Sequence, residues 1–192
     1  MKKYQIGMYG GKFLPFHKGH RYCIETAAME CETVYAILFW GGADEEQILL
    51  RHPEEWLTVE EREKQLLKIC ADIKRFAEVI PVLIDITALR LPDGSEDWDA
   101  ETPLVREVLG SRLDAVYSSE ISYGEYFSRA YPEAVHRLVD VNRIHYPISG
   151  TAIREMTDKE ERQISVISYL QLSIPSYTQF IWYIGTSGVR RR

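Results

Sequence analysis

The sequence predicts an α/β protein with an open, parallel, doubly wound sheet and a C-terminal helical tail. Strand-like and helix-like segments alternate over about 150 of the 192 residues, which is the pattern of a parallel sheet covered by helices. One strand-like segment, residues 34–40, is apolar without interruption, as expected for a strand that is buried on both faces. Hydrophobic residues make up 45% of the chain and charged residues 27%, so the chain can bury a core.

The first half of the chain supplies three strands and two helices. In chain order these are a strand at residues 4–9, a helix at 19–31, a strand at 34–40, a helix at 58–71 and a strand at 79–86. Paired glycines end the first two strands, and Thr58-x-x-Glu61 is a capping box at the start of the second helix. The acidic segment 43–56 contains Pro53 and predicts a surface loop with a solvated charged face.

The second half continues the alternation with shorter elements. They are a polar loop at residues 88–99, a helix at 103–109, a strand at 115–117, a helix at 123–131 and a strand at 138–141. A second capping box, Thr157-x-x-Glu160, predicts a C-terminal helix that reaches about residue 170. Residues 180–184 are strand-like. The glycine-rich segment 185–192 lacks the spacing of a phosphate-binding P-loop.

Charge and cysteine content narrow the class of partner. Lys and Arg number 23 against 29 Asp and Glu, a formal net charge of −6, which argues against a protein that binds nucleic acid through a broad basic face. A small anion needs only a few local donors. The three cysteines form no C-x-x-C pair and predict reduced thiols in the cytoplasm. No apolar run is long enough to cross a bilayer, so we expect no membrane partner.

The turn between the first strand and the first helix carries the chemistry. Residues 10–20 read GGKFLPFHKGH, and in an open α/β sheet ligands bind at this edge. Glycines let backbone amides approach a phosphate, and the helix N-terminus adds the positive end of its dipole. Lys12, His17, Lys18 and His20 add movable donors. The turn therefore predicts a polyphosphate site.

Zinc is the alternative for this turn, because His17-x-x-His20-x-x-Cys23 has the look of a ligand set. On a helix, positions six apart lie about 120° apart around the axis, so Cys23 does not converge with His17. The sequence offers no fourth ligand. We therefore expect no metal ion held by protein side chains.

Two motifs give the sequence a family resemblance. Residues 11–20 match G-x-F-x-P-x-H-x-G-H, and residues 148–154, ISGTAIR, match I-S-x-T-x-x-R. With both patterns in this order, the chain resembles the nucleotidyltransferase superfamily. Residues 117–120 and 139–143 make it most similar to the NadR-type nicotinamide mononucleotide adenylyltransferases, over roughly residues 4–156. The resemblance implies a Rossmann-like nucleotidyltransferase domain at residues 1–156, with residues 157–192 as its C-terminal helical extension.

The same resemblance implies a reaction and the residues that carry it. The reaction is adenylyl transfer from ATP to nicotinamide mononucleotide, which forms NAD and pyrophosphate by direct in-line attack, with Mg²⁺ held by the substrate phosphates. The implied catalytic residues are His17, His20, Lys12 and Arg154. The implied ATP-binding residues are Gly11, Phe13, Gly19, Ser119, Glu120, Asp140, Ser149 and Thr151. Ser149 and Thr151 open a helix whose amides face the β- and γ-phosphates, whereas Ser119 and Glu120 are also typical of a helix cap.

The acceptor side rests on two residues with competing interpretations. Trp98 is the best match to the aromatic ring that stacks on nicotinamide in similar enzymes, although a tryptophan also serves as packing. Arg62 matches an arginine often found in relatives, although a helical arginine is commonly a surface residue paired with a glutamate. Trp40 and Trp182 are expected in the core. Trp56, in the segment 43–57, is expected in the core or in a lid.

Several functional alternatives stay open at this point. Within the superfamily they are adenylyl transfer to phosphopantetheine or flavin mononucleotide, and cytidylyl transfer to a phosphorylated alcohol. Outside it, the chain could sense nucleotides without turnover, although intact His17, His20 and Arg154 favour an enzyme. Bifunctional relatives carry a riboside kinase domain with a genuine P-loop, so we expect no kinase activity here. The tail is interpreted as a vestige, an added strand or a contact in a homo-oligomer.

Overall fold

Seven strands form one sheet with helices on both faces, in a computed structural model that describes residues 1–110, 112–157, 182–185 and 188–191. The strands are β1 (Tyr4–Gly11), β2 (Cys31–Trp40), β3 (Glu78–Asp85), β4 (Ala115–Ser118), β5 (Val135–Leu138), β6 (Trp182–Gly185) and β7 (Gly188–Arg191). The helices are α1 (Lys18–Glu30), α2 (Ala43–Arg51), α3 (Val59–Ile73), α4 (Trp98–Leu109), α5 (Gly124–Ala130) and α6 (Gly150–Glu155). Short 3-10 turns lie at Glu55–Leu57 and Ile121–Tyr123.

The strand order is β5-β4-β1-β2-β3-β6-β7, and all neighbours are parallel except β6 and β7. The chain builds outward from β1 in one direction through β2 and β3, then returns to the other side of β1 to add β4 and β5. This reversal confirms the predicted parallel, doubly wound sheet. It also places a topological switch point between β1 and β4.

The core consists of two apolar layers, one on each face of the sheet. The first layer packs α1 and α3 on the sheet and contains Ile24 and Leu66. The second packs α4 and the segment after α5 on the opposite face and contains Val105 and Tyr131. Neighbouring residues of β2 point into different layers, Leu38 into the first and Ile37 into the second. Burial on both faces explains why residues 34–40 show no alternation of polar and apolar residues.

The prediction of a surface loop over residues 43–56 is wrong, because these residues form α2 and a 3-10 turn. The acidic residues that suggested a loop lie in the first turn of α2, where negative charge is favourable for a helix. One of them, Glu45, is buried and pairs with Arg62 of α3. The charge run is therefore partly an interior ionic contact rather than a solvated face.

Two other boundaries differ from the prediction. The helix expected to begin at Pro103 begins at Trp98, because the Asp97 carboxylate caps it by accepting from the Ala100 amide at 3.1 Å. The strand expected at residues 138–141 is instead β5, which ends at Leu138. It ends there because Asp140 adopts a positive φ of 48° and turns the chain.

The predicted C-terminal helix lies outside the described residues. Further along, β6 confirms the strand-like pattern at residues 182–184 and pairs in parallel with β3. β7 returns antiparallel to β6, with Gly185 opposite Gly188, so the glycine-rich segment joins two strands rather than a strand and a helix. In the stretches of chain described here, every helix is too short or too polar to cross a membrane.

Candidate active site

Three loops meet at the carboxyl edge of the sheet around its point of reversal. The first follows β1 and carries residues 12–17, the second follows β4 and carries Ser119 and Glu120, and the third leads from β5 to α6. Because β1 lies between β4 and β2, this crevice is the position at which open α/β sheets bind ligands. The fold thus brings most of the predicted site residues to one edge of the molecule.

The two sequence signatures are in direct contact. The Arg154 guanidinium in α6 donates to the carbonyl of Leu14, 140 residues away in the chain, and to Thr151 Oγ1 at 3.1 Å. Gly150 permits this approach, since a Cβ atom there would lie 2.6 Å from the Leu14 oxygen. The glycine-histidine turn and α6 therefore form adjoining walls of one crevice.

His17 and His20 form a stacked pair at the start of α1. Their ring centroids lie 3.6 Å apart, with an interplanar angle of 24°. His17 is the N-cap residue of α1, and its Nδ1 accepts a hydrogen bond of 3.1 Å from the Gly19 amide. A neutral imidazole that accepts at Nδ1 carries its proton on Nε2. This bond therefore assigns His17 Nε2 as a donor.

Burial keeps both imidazoles neutral near pH 7. Burial, reinforced by the charge of Arg143, lowers the pKa of His17 from 6.5 to about 4. Burial, followed by the charges of His17 and Arg143, lowers the pKa of His20 well below its ordinary value. Among the residues that the structure describes, His20 Nδ1 finds no hydrogen-bond partner although it is buried. Because an unpaired buried nitrogen is unfavourable, a ligand atom that bonds to it would be stabilised.

Phe13 and Gly11 lie behind the histidines. Phe13 is buried, adopts a positive φ of 52° and stacks on Phe16 with 3.9 Å between ring centroids. The Phe13 ring also meets the edge of His20 at 5.0 Å. A Cβ atom at Gly11 would lie 3.0 Å from the Phe13 ring. Phe13 therefore supports the His20 ring from the interior of the protein.

The hydroxyl groups predicted to contact ATP have partners within the protein. Ser149 is the N-cap residue of α6 and accepts from the Ala152 amide at 3.1 Å. Ser119 lies 3.3 Å from Cys23 Sγ. Thr151 accepts from Arg154, as described above. Of these, Thr151 is the exposed residue beside the guanidinium, so it is the hydroxyl best placed to meet a phosphate next to Arg154.

Arg143 is a residue of this site that sequence reasoning missed. Its guanidinium donates to the Ile148 carbonyl at 2.6 Å and to Glu120 at 2.8 Å, and its charge lowers the pKa of both histidines. The only sequence signal was a cation directly after a strand, within the stretch 139–143. Glu120 caps no helix with its side chain and is instead the partner of Arg143.

Asp140 shapes the loop that carries Arg143. Its carboxylate accepts from the amides of Ile144, His145 and Tyr146 at 2.8 to 3.1 Å. These three bonds hold the turn after β5. We therefore describe Asp140, predicted to contact ATP, as a positioning residue. We call His17, His20, Arg143 and Arg154 together the histidine side of the crevice.

The lysine side, defined as Lys12, Asp44, Glu96 and Trp98, lies across β1 from the histidine side. Asp44 follows β2 and the segment with Glu96 follows β3, whereas Arg143 and Arg154 of the histidine side follow β5, on the other side of β1. The Lys12 ammonium pairs with Glu96 and lies 3.6 Å from Asp44. The Trp98 indole N–H donates to the other Glu96 oxygen at 3.3 Å. A cation and an aromatic ring are therefore joined through one carboxylate.

Trp98 stands on the first turn of α4 and not in the predicted loop. Trp98 is 38% exposed, and Tyr123 and Tyr126 meet its ring edge-on at 5.4 and 5.5 Å. Two aromatic edges fix the indole, since edge-to-face contacts are directional. A partly exposed ring held in this way can stack on a flat ligand.

Arg62 is fully buried, which corrects its prediction as a direct contact of the acceptor. Its guanidinium pairs with Glu45 and donates to the carbonyls of Lys12 at 2.7 Å and Thr58 at 3.3 Å. Glu45 in turn accepts from the Gly41 amide at 3.1 Å. Arg62 therefore acts through the Lys12 backbone, as a positioning residue for the turn after β1.

Protein side chains in the described ranges form no group of three or more His, Cys, Asp or Glu that could hold a metal ion. Cys23 lies beside Ser119 instead of completing a set with the histidines. Near the crevice, the carboxylates of Glu96 and Glu120 are engaged by Lys12 and Arg143. This donor set suits phosphate oxygens better than a bare cation.

A surface cavity of about 320 Å³ lies next to the third loop but does not coincide with the crevice. Its walls include Tyr22, Arg137, Asn142 and His145. Asn142 lines the cavity whereas its neighbour Arg143 does not. Asp140 of the third loop also lines the cavity, whereas His17, His20, Arg143 and Arg154 do not.

Sequence comparison agrees with this geometry. Residues 8–156 match the family model described as cytidylyltransferase-like. The chain belongs to this family. The matched range begins inside β1 and ends just after α6, so the cytidylyltransferase-like domain contains the complete crevice described above. No curated protein is similar enough in sequence to count as a match.

Solved structures share the fold of this cytidylyltransferase-like domain. A NadR protein in complex with NAD and AMP-PNP is 23% identical, with a TM-score of 0.53 over 81% of this chain and 43% of that one. A bifunctional NMN adenylyltransferase/ADP ribose pyrophosphatase from Francisella tularensis is 18% identical, with a TM-score of 0.51 over 79% of this chain and 41% of that one. The chain thus spans less than half the length of these neighbours, and at such identities the likeness shows the fold.

Proposed function

We propose that this nucleotidyltransferase-like protein transfers the adenylyl group of ATP to nicotinamide mononucleotide, forming NAD and pyrophosphate. The observation that carries the proposal is the contact between the two signatures, Arg154 to Leu14, which closes one crevice around His17 and His20. The names of the structural neighbours support the choice of acceptor. The stacked imidazoles and two guanidinium groups support a triphosphate as the donor substrate.

In the proposed reaction an oxygen of the acceptor phosphate attacks the α-phosphorus of ATP in line. A new phosphorus–oxygen bond forms as the bond between the α-phosphorus and the bridging oxygen breaks, and pyrophosphate leaves with that electron pair. The Nε2–H of His17 donates to a phosphate oxygen, and His20 bonds a second one. These contacts strengthen as negative charge grows in the transition state. Arg154 and Thr151 orient the leaving pyrophosphate.

Mg²⁺ bound by the substrate phosphates would add charge neutralisation, and the crevice fits a metal that arrives with its substrate. The nearby carboxylates are already paired, Glu96 with Lys12 and Glu120 with Arg143. Protein side chains would then position the phosphates, which is the larger part of catalysis in phosphoryl-type transfer.

The acceptor is proposed to lie on the lysine side. Lys12 is the cation of that side and would meet the acceptor phosphate, while Trp98 would stack on the pyridine ring. The segment 86–97 and α2 form the outer wall of the lysine side. The distance between the phosphate and the ring of the acceptor must therefore match the distance between Lys12 and Trp98.

Pyrophosphate release tests this proposal. The purified protein is incubated with ATP or CTP and with each of four acceptors: nicotinamide mononucleotide, phosphopantetheine, flavin mononucleotide and a phosphorylated alcohol. We expect release with ATP and nicotinamide mononucleotide, together with stoichiometric NAD. Turnover with another acceptor, and none with nicotinamide mononucleotide, would refute the proposed acceptor but would agree with membership of the cytidylyltransferase-like family. Binding of ATP without turnover of any acceptor would favour a nucleotide sensor.

A further inference from the structure

The Glu96 carboxylate accepts hydrogen bonds from several groups of the site, although no sequence pattern singled this residue out. One carboxylate oxygen accepts from the Lys12 ammonium and from the Asp44 amide at 3.2 Å, and the other accepts from the Trp98 indole at 3.3 Å. The side chain is only 6% exposed. A carboxylate with this many donors and this little exposure has a fixed position.

The backbone holds Glu96 in place from the other side. The turn that contains it is closed by two hydrogen bonds, from the Leu91 amide to the Ser95 carbonyl at 2.9 Å and from the Asp97 amide to the Leu89 carbonyl at 3.2 Å. Asp97 also caps α4, the helix on which Trp98 stands. Glu96 therefore belongs to a rigid segment that reaches back to the turn after β1.

Gly42 provides the space for this carboxylate. A Cβ atom at Gly42 would lie 2.1 Å from Glu96 Oε1 and 2.9 Å from Cδ. The backbone of Gly42 has a φ of −69° and a ψ of 159°, which any residue adopts without strain. An alanine here would therefore displace Glu96 and leave the backbone conformation accessible.

We propose that Glu96 is a positioning residue that fixes the distance between Lys12 and Trp98 and thereby selects an acceptor whose phosphate and flat ring span that distance. The inference rests on the proposed function, because it assigns Lys12 and Trp98 to the acceptor. Neutralisation by Glu96 also prevents the Lys12 ammonium from turning toward the triphosphate. Glu96 itself touches neither substrate.

The first test uses steady-state kinetics of Glu96→Gln. We expect the KM for nicotinamide mononucleotide to rise about tenfold, because the amide loses one acceptor and the charge that holds Lys12, whereas the KM for ATP stays within about twofold. Glu107→Gln, an exposed carboxylate on α4, is the matched control and should match the wild type. Equal increases in both KM values would overturn the proposal.

Two double variants separate positioning from general damage. Gly42→Ala should reproduce the kinetic defect of Glu96→Gln. In a Glu96→Ala background, where the obstructed carboxylate is gone, it should add only the small effect of its 3.0 Å contact with Ile86 Cδ1. Lys12→Met should lower kcat/KM for the acceptor by about 10- to 100-fold, and Lys12→Met with Glu96→Gln should be no worse. Effects that multiply in either pair would overturn the proposal.

A readout without turnover keeps this inference distinct from the proposed function. The difference in fluorescence between a protein and its Trp98→Phe counterpart isolates the emission of Trp98. Glu96→Gln and Gly42→Ala should change this emission in the same direction. Failure of nicotinamide mononucleotide to react refutes the proposed function alone, whereas unchanged Trp98 emission in both variants refutes the role of Glu96.

Discussion

The histidine side and the lysine side of the crevice hold their polar groups in opposite ways. On the histidine side, burial keeps two imidazoles neutral, and one of their buried nitrogens has no partner within the described chain. On the lysine side, the cation Lys12 is already neutralised by Glu96. On the histidine side, His20 Nδ1 finds no partner among the described residues until a ligand binds. On the lysine side, Glu96 holds the Lys12 ammonium in a fixed place. Under the proposed function, the histidine side would stabilise the transition state and the lysine side would align the acceptor.

Replacement of His20 by alanine should have the largest effect on activity. A small effect would contradict the stated difference between the histidine side and the lysine side. Loss of one donor to a developing oxyanion costs about 100- to 1,000-fold in kcat, and the KM for ATP should change only a few-fold. Measured initial rates at varied ATP decide this. His52→Ala, which removes a histidine paired with Glu54 at 4.0 Å, serves as the control. Equal losses in kcat and in ATP affinity would mean that His20 binds the ground state.

Arg62→Ala should be the most destabilising of these changes, since the lysine side rests on a buried ion pair. It leaves Glu45 buried without its partner, a loss of about 3–5 kcal/mol in the free energy of unfolding, measured by urea denaturation. Arg129→Ala, which removes an exposed pair with Asp99, should leave the free energy of unfolding nearly unchanged, because water screens an exposed ion pair. Similar losses in the two variants would show that the buried pair has no special role.

Trp98→Ala should separate the two sides kinetically. Loss of the stacking ring should raise the KM for the acceptor by about two- to tenfold, in line with about 0.5–1.5 kcal/mol for an aromatic contact, and leave the KM for ATP unchanged. Trp182→Phe, in β6, where the side chain packs against the second layer of the core, is the tryptophan control. Unchanged dependence on the acceptor would assign Trp98 to packing alone.

The smallest expected effects are the opposite pH dependences of stability that come from His17 and from Glu101, a residue of α4 near Glu96 and Lys12. The pKa of His17 is lowered to about 4, so its contribution is present above pH 6.5 and is lost as the pH falls toward 4. Burial, with the charge of Glu96, raises the pKa of Glu101 to about 7, so its contribution is present below pH 4.5 and is lost as the pH rises through 7.

Urea midpoints across pH 4 to 8 check both windows. His17→Gln should flatten the acid side of the profile, and Glu101→Gln should flatten the neutral side. If either variant left its window unchanged, the corresponding group would not titrate with the shift described. Both side chains lie close to the crevice, so bound ATP should move the first window more than the second.

The sequence contained most of the fold and about half of the site. The unbroken apolar run of β2 specified a strand buried on both faces, and the two signatures specified a crevice between β1 and α6. The acidic residues of α2 led to the wrong prediction of a surface loop. A run of acidic residues has the same sequence pattern whether its side chains face solvent or, like Glu45, pair with a buried residue. Arg62 shows the same gap: helical spacing places it on α3 but does not reveal that the face is buried.

Glu96 and Arg143 show what local sequence lacks entirely. Each gains its role from a contact across loops, Glu96 with Lys12 and Arg143 with Glu120, and neither lies in a spacing pattern. Trp98 was found through the family resemblance, as the best match to the aromatic ring that stacks on nicotinamide in similar enzymes. Its helical setting was missed, because Pro103 predicts a helix start at that residue, whereas the Asp97 carboxylate caps a helix that already begins at Trp98.

The pairing of β6 with β3 has a consequence for synthesis of the chain. β3 is an edge strand until residues 182–185 have been made, and its exposed backbone can pair with another chain in that interval. At ordinary translation rates the interval lasts about 5 to 20 seconds. During it Pro81, which lacks an amide hydrogen, and the charged end residues Glu78 and Asp85 are the features that oppose pairing between nascent chains. The docking of β6 therefore ends the interval in which the edge of β3 is open to other chains.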